Sequence, residues 1–252
     1  MSDATDPGVS NPTLETMLSH RSVRTYTDDP IPPEHVRRAV EAGQMAPTSS
    51  AVQAYSIIRI TDPGTRARLA ELTGPQEKVR LAPEFFVVCA DSRRHRVICE
   101  HAGTGYDQRL EAFLVAAIDA SLFAQNVLVA FESMGYGTCY IGGLRNDLGA
   151  VCELLDIPEG VYPLYGLCVG RPAEEPGQRP RLPVEAVLFD DAYPSDDEVL
   201  GRVGEYDEAY RAYLRDRGAP ERGWSDVISG KYVKPIRPDL ASVYLGRGAR
   251  LD

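Results

Sequence analysis

Lysine is nearly missing from this chain. Only Lys78, Lys231 and Lys234 occur, so 24 of the 27 basic residues are arginine, set against 37 Asp and Glu. The resulting charge of −10 argues against a duplex nucleic acid as partner, because that affinity rests on a basic footprint. It argues equally against a polybasic anchor on a membrane surface. Cysteine is sparse as well. Cys89, Cys99, Cys139, Cys152 and Cys168 are odd in number and include no C-x-x-C pair. A disulfide framework is not expected, and a reducing, cytoplasmic compartment fits better. No apolar run is free of polar interruption over a bilayer's thickness. The nearest, Phe113 to Ala130, carries Asp119, Gln125 and Asn126, which would be costly at mid-bilayer, so a buried core helix is expected there.

Familiar catalytic signatures are missing too. No G-x-G-x-x-G follows the first expected strand, and no G-x-x-x-x-G-K-[ST] occurs, so neither a dinucleotide-binding Rossmann unit nor a P-loop is supported. There is no G-x-S-x-G elbow, and four histidines leave few candidates for an acid–base pair. The tightest metal-like cluster is His95, Cys99 and His101. Its spacing matches no standard zinc pattern, and Arg93, Arg94 and Arg96 repel a cation, so an exposed polar loop without metal is expected.

What is present is an ordinary globular composition, 43% hydrophobic and 25% charged over 252 residues, enough to bury a sizeable core. Residues 1–13 read as a loose, polar leader. A short helix ends near Ser19, and Pro32-Pro33-Glu34 opens another whose Val36, Ala39, Val40 and Gly43 share a face. A strand is expected over Ser56–Thr61, then a helix capped by Asp62 and stopped at Gly74-Pro75. Glu84 to Ala90 is almost continuously apolar, as in a central strand covered on both sides. The longest helix spans about Arg109 to Met134. Thr138–Ile141 reads as a strand, Asp147–Leu155 as a helix and Pro163–Val169 as a further strand. Residues 190–198 look like an acidic loop, with helices at Asp207–Arg215, Trp224–Ser229 and Pro238–Leu245. The alternation suggests an α+β or α/β sandwich.

Two arginine-bearing segments stand out, His20-Arg21-Ser22-Val23-Arg24 and Arg179-Pro180-Arg181-Leu182-Pro183. Arginine's rigid fork suits phosphate, although both segments also read as solvated surface patches. Tyr140-Ile141-Gly142-Gly143 follows a strand and precedes a helix, where paired glycines would let backbone amides approach a ligand or simply form a tight turn. Two anion-binding candidates without a visible general base point to chemistry carried by a bound cofactor.

These segments, together with Pro47-Thr48-Ser49-Ser50 and Gln53, run in one order over about residues 14 to 247. In that order the chain resembles the FMN-dependent nitroreductase / flavin reductase family, most closely its oxygen-insensitive, NADPH-preferring branch. The resemblance implies an α+β, nitroreductase-like FMN-binding sandwich, a central mixed sheet flanked by helices, as a single domain over 14–252 with a helical C-terminal excursion over 184–252. It implies a homodimer with an FMN in each interface cleft and long central helices packed together. His20, Arg21, Ser22 and Arg24 would hold the flavin's phosphate, ribityl chain and pyrimidine side, with Arg24 beside N1/O2, where a cation favours two-electron reduction. Thr48 and Ser50 would donate hydroxyls to the other subunit's FMN. Gln76 would read the flavin's polar edge, unless it is only a loop residue after Gly74-Pro75. Tyr140, Ile141, Gly142 and Gly143 would run past the ring and offer an amide near N5. Arg179 and Arg181 would close over the phosphate. Arg217 and Arg222 correspond to arginines that bind the 2′-phosphate of NADPH, with Glu221 as an opposing charge.

The implied activity is ping-pong, two-electron reduction of nitroaromatics, quinones or flavins by NADPH, with no protein nucleophile. A dedicated FMN reductase supplying reduced flavin to another protein and a non-catalytic flavin-binding protein are the alternatives.

Overall fold

The computed structural model describes residues 11–250 and 252. Most of the expected leader, residues 1–10, lies outside the described residues, and its last part already belongs to a helix, α1 (Pro12–Leu18). The Asn11 side chain accepts the N–H groups of Thr13 and Leu14, and Pro12 occupies the first turn, where no amide proton is missed. The described chain forms two compact units. One reaches to Pro176 and resumes at Asp239; the other is Gly177–Pro238.

The first unit is built on four strands, β1 (Tyr55–Arg59), β2 (Glu84–Asp91), β3 (Gly137–Ile141) and β4 (Val161–Gly170), in the order β1-β2-β4-β3. Every residue of β2 is buried, as its unbroken apolar run requires of a central strand. All three ladders are antiparallel. The expected mixed character is reduced to one parallel bridge, Ser22 with Thr138. A parallel neighbour needs a long crossover, and here the return from Ser22 to Thr138 makes that single contact.

Six more helices of this unit precede Pro176: α2 (Pro33–Gly43), α3 (Pro63–Leu72), α4 (Glu77–Leu81), α5 (Arg93–His101), α6 (Leu110–Ser133) and α7 (Leu148–Leu154). The Asp62 carboxylate caps α3 by accepting Thr65 N–H at 2.7 Å, and Asp147 caps α7 through Ala150 N–H. At 1.5 Å per residue the 24-residue α6 is about 36 Å long. It packs on α2 and β2 through Ala116, Ala120, Phe123, Val127 and Phe131, all at most 1% exposed. Its opposite face is not buried within the chain: Leu110, Leu114, Ile118 and Leu122 are 41–49% exposed. Among the described residues it is the one helix long and apolar enough to cross a membrane, yet its packed face includes the buried Asp119.

Residues 93–101 are helical rather than the exposed loop expected, with Arg96 half-buried and paired to Glu159. His95, Arg96 and Cys99, which suggested a loop, are half-buried and lie on the side of the helix that meets the fold, with His95 Nε2 2.6 Å from Val52 O, while Val97 and Ile98 are exposed.

The second unit contains α8 (Asp196–Asp216) and α9 (Trp224–Lys231) around Tyr206, Tyr210 and Leu214. Tyr206 meets Trp224 edge-on at 5.7 Å. Helix α8 starts earlier than expected because Ser195 and Glu198 form a capping box, and the acidic run 196–198 that suggested a loop is a favourable first turn. The chain then returns as α10 (Leu240–Gly246), whose Tyr244 hydroxyl donates to Pro163 O at 2.8 Å within the first unit.

Candidate functional site

The segment 20–24 lies along the free side of β3. Val23 N–H donates to Thr138 O at 2.9 Å, and Val23 is buried. The approach is close enough to need Gly137, because a Cβ there would sit 2.6 Å from Val23 Cγ2. Beside this contact, His20 Nδ1 lies 2.8 Å from Glu132 Oε1, and the Thr138 hydroxyl donates to the same oxygen at 2.7 Å. Arg21 and Arg24 remain exposed and Ser22 is half-buried; Arg24 Nη1 donates to Ser22 O at 3.0 Å. A cavity of about 330 Å³ opens here, lined by His20, Arg21, Val23, Glu132, Tyr136 and Glu174 among others.

At the far end of β3, Tyr140 packs edge-on to Tyr165 at 5.0 Å, and burial pushes its phenol up. Ile141 is buried and leads into a 3-10 turn, Gly142–Arg145. Gly143 presses on the polypeptide before α4: a Cβ would lie 2.3 Å from Thr73 O and 2.4 Å from Gln76 Nε2. Gln76 Nε2 donates to Thr73 O at 2.6 Å, which leaves its carbonyl oxygen available. Gln76 and the glycine turn, far apart in sequence, are therefore neighbours.

Residues 47–54 are held differently. The Asp119 carboxylate, reaching from α6, accepts the Thr48 hydroxyl, Ser49 N–H at 3.2 Å and Ala54 N–H at 3.1 Å. Thr48 Oγ1 in turn accepts Gln53 N–H at 2.8 Å. The Thr48 hydroxyl thus links Asp119 to the loop backbone. Ser50 is exposed, and its hydroxyl makes no hydrogen bond among the described residues. Ser50, Ala51 and Gln53 all adopt left-handed backbone, with φ of 46°, 57° and 49°, a conformation costly for residues with a Cβ.

In the second unit, Arg217 Nη1 donates to the Tyr213 hydroxyl at 2.5 Å. The Arg217 and Arg179 guanidinium carbons lie 5.5 and 5.8 Å from the Tyr213 ring centre. Arg181 Nη1 donates to Arg179 O at 2.8 Å. Arg222 is exposed. Glu221, the expected opposing charge, is occupied by Arg215 at 2.9 and 3.0 Å, whose hydrogen bonds hold its carboxyl below the usual range.

None of the motif arginines is neutralised by a carboxylate among the described residues, a state they share with several other arginines of the chain, such as Arg66 and Arg145, which are spent on backbone carbonyls. Nine others form ion pairs with carboxylates. Arg21, Arg24, Arg179, Arg181, Arg217 and Arg222 form none among the described residues. In a chain of charge −10, unpaired guanidinia are the donor set that phosphate-bearing ligands fit. His95, Cys99 and His101 lie on α5, with His95 Nε2 2.6 Å from Val52 O, and among the described residues no group of three or more His, Cys, Asp or Glu could hold a metal ion.

The nitroreductase family model matches residues 17–171, and the model of that family's C-terminal domain matches 179–252. The chain belongs to the nitroreductase family. Among similar members is an FMN reductase (NADPH) of Bacillus subtilis (strain 168), 45% identical over 86% of this chain and 90% of its own length. An oxygen-insensitive NADPH nitroreductase of Salmonella typhimurium is 42% identical over 90% of this chain and 94% of its own. The solved structure of a nitroreductase from B. subtilis superposes with a TM-score of 0.91 at 42% identity, covering 94% of this chain and 98% of that one. The sequence reading missed the residues that hold the site from behind, Glu132, Asp119 and Tyr213. For Asp119 a signal existed, since a lone carboxylate inside an apolar helix demands partners.

Proposed function

We propose that this nitroreductase-family protein is an FMN-dependent NAD(P)H oxidoreductase that uses NADPH for two-electron reduction of nitroaromatics, quinones or flavins. The observation that carries the reading is that the arginines of the ordered motifs, Arg21, Arg24, Arg179, Arg181, Arg217 and Arg222, form no ion pair among the described residues and, being exposed, keep donors for a phosphate-bearing ligand. Bound FMN supplies the two-electron relay between dinucleotide and acceptor. Around it, Arg21 and Ser22 serve the phosphate and ribityl chain, and Arg24 serves the pyrimidine side. The pocketed His20 is oriented by Glu132. The carbonyl of Gln76 and the backbone of the Gly142–Gly143 turn, packed together, address the ring's polar edge and N5, flanked by Tyr140 and Ile141. Arg179 and Arg181 serve the flavin phosphate, and Arg217 and Arg222 the 2′-phosphate of NADPH.

The apolar stripe Leu110, Leu114, Ile118 and Leu122 on α6 supports a homodimer, because an apolar helix face of that length is normally covered. In that dimer Ser50 serves the other subunit's flavin. Five free cysteines support a reducing, cytoplasmic setting. In this reading no protein base takes part, and protons come from water.

The name of the B. subtilis relative favours a second reading, an FMN reductase that delivers reduced flavin. One measurement tests both: anaerobic NADPH is added to the purified yellow protein, followed by steady-state turnover with nitrofurazone and with free FMN. Rapid bleaching and a higher kcat/KM for nitrofurazone are expected. A higher value for free FMN selects the second reading, and absence of bleaching overturns both.

A further inference from the structure

Tyr213, one turn before the end of α8, is the meeting point of two cations that have no carboxylate partner. Arg217 follows it by four residues and donates Nη1 to its phenol oxygen at 2.5 Å. Both the Arg217 and the Arg179 guanidinium lie within 6 Å of its ring centre, the range of a cation–π contact. Burial pushes the phenol up, but hydrogen bonds and charge from Arg217 and Arg179 outweigh it and bring the group below its ordinary value. Tyr213, Arg179, Arg181 (bonded to Arg179 O) and the carboxylate of Asp216 line a cavity of about 590 Å³. No ion pair joins Asp216 to these arginines.

Like charges gathered on one ring repel unless an anion joins them. An exposed arginine at a helix end also has much side-chain freedom to lose when it binds. A phenol that accepts the Arg217 N–H removes part of that freedom beforehand and keeps its own proton for an incoming oxyanion.

We propose that Tyr213 is a positioning residue for dinucleotide choice: it holds the Arg217 guanidinium ready for the 2′-phosphate, the group that NADPH has and NADH lacks. The proposal rests on the reading of Arg217 given above and adds the residue that makes it selective.

The test uses the FMN-loaded protein and three chains, wild type, Tyr213→Phe and Arg217→Ala. KM and kcat are measured with NADPH and with NADH, together with the FMN dissociation constant and inhibition by 2′,5′-ADP and by 5′-ADP. Phenylalanine keeps the ring beneath both guanidinia and removes only the hydroxyl. One net hydrogen bond corresponds to a factor of about five. Tyr213→Phe is therefore expected to raise KM for NADPH and Ki for 2′,5′-ADP by about that factor. It should leave kcat, KM for NADH and Ki for 5′-ADP unchanged, with any change in FMN affinity through Arg179 smaller than the change in KM for NADPH. Equal shifts for both dinucleotides overturn the proposal, as does weaker FMN binding with an unchanged KM for NADPH. If Arg217→Ala raises KM for NADPH and Tyr213→Phe does not, Tyr213 is refuted while the reading of Arg217 stands. If Arg217→Ala leaves KM for NADPH unchanged, the reading of Arg217 falls and takes the proposal with it.

Discussion

Two stretches of the first unit carry exposed polar side chains, and they are held by opposite means. Residues 20–24 are fastened through the backbone, by Val23 N–H on Thr138 O and the Ser22–Thr138 bridge, against an edge strand that is itself part of the core. Residues 47–54 meet the sheet only at their end, where Ala54 O accepts Asp91 N–H at 3.0 Å, and α5 adds His95 Nε2 at 2.6 Å from Val52 O. Their main anchor is one buried carboxylate, Asp119, which accepts a hydroxyl and two amides. A strand edge spreads the work over many groups, whereas the second arrangement puts three of its donors on one residue, so damage should be graded in one place and more abrupt in the other.

The sharpest way to break the contrast is Asp119→Ala. Three donors lose their acceptor, of which the Ala54 N–H is buried, and a buried donor left unpaired costs about 1–3 kcal/mol, so a loss of about 2–4 kcal/mol is expected in urea unfolding, with FMN binding weakened more than tenfold. A loss under about 1 kcal/mol would show that the loop is held elsewhere. Next comes Gly137→Val, which drives a side chain into Val23. Overpacking of this kind costs about 1–3 kcal/mol. Thermal unfolding should register that amount, with FMN affinity falling by less than in Asp119→Ala because the strand edge can shift while keeping its bonds. The smallest effect is expected for Ser50→Gly, where strain at φ 46° is relieved. Stability should rise by about 0.5–1 kcal/mol, while FMN binding weakens if the hydroxyl serves the flavin. A gain in stability without loss of binding would remove Ser50 from the site.

Local signals made some of this readable in advance. The run Phe85-Phe86-Val87-Val88-Cys89 could only be a central strand, and Pro33, Asp62 and Asp147 announced their helices because capping is decided within four residues. Helix α5 was hidden because its contact side shows only against the rest of the fold. The first turn of α8 was hidden because three successive acids look alike in a loop and at a helix N-terminus. The site divides along the same line. The arginines and paired glycines were visible as ordered motifs, but their supports were not. Asp119 lies 70 positions from Ser49, and Glu132 lies 112 from His20, and no local pattern reports such distances. The direction of Thr48's hydroxyl was beyond reach for the same reason.

The strand order β1-β2-β4-β3 also governs how the molecule comes into being. As the chain leaves the ribosome, β2 can pair at once with β1, but its other edge stays bare until β4 emerges roughly seventy residues later. At about 5–20 residues per second that is an interval of several seconds. During it, the most apolar strand of the protein offers an open edge to any neighbour. Ser22 and Val23, made among the first residues, must wait for Thr138 before they have a place. Nascent chains are therefore the form most in need of a chaperone, and the cofactor can be loaded only near the end of synthesis.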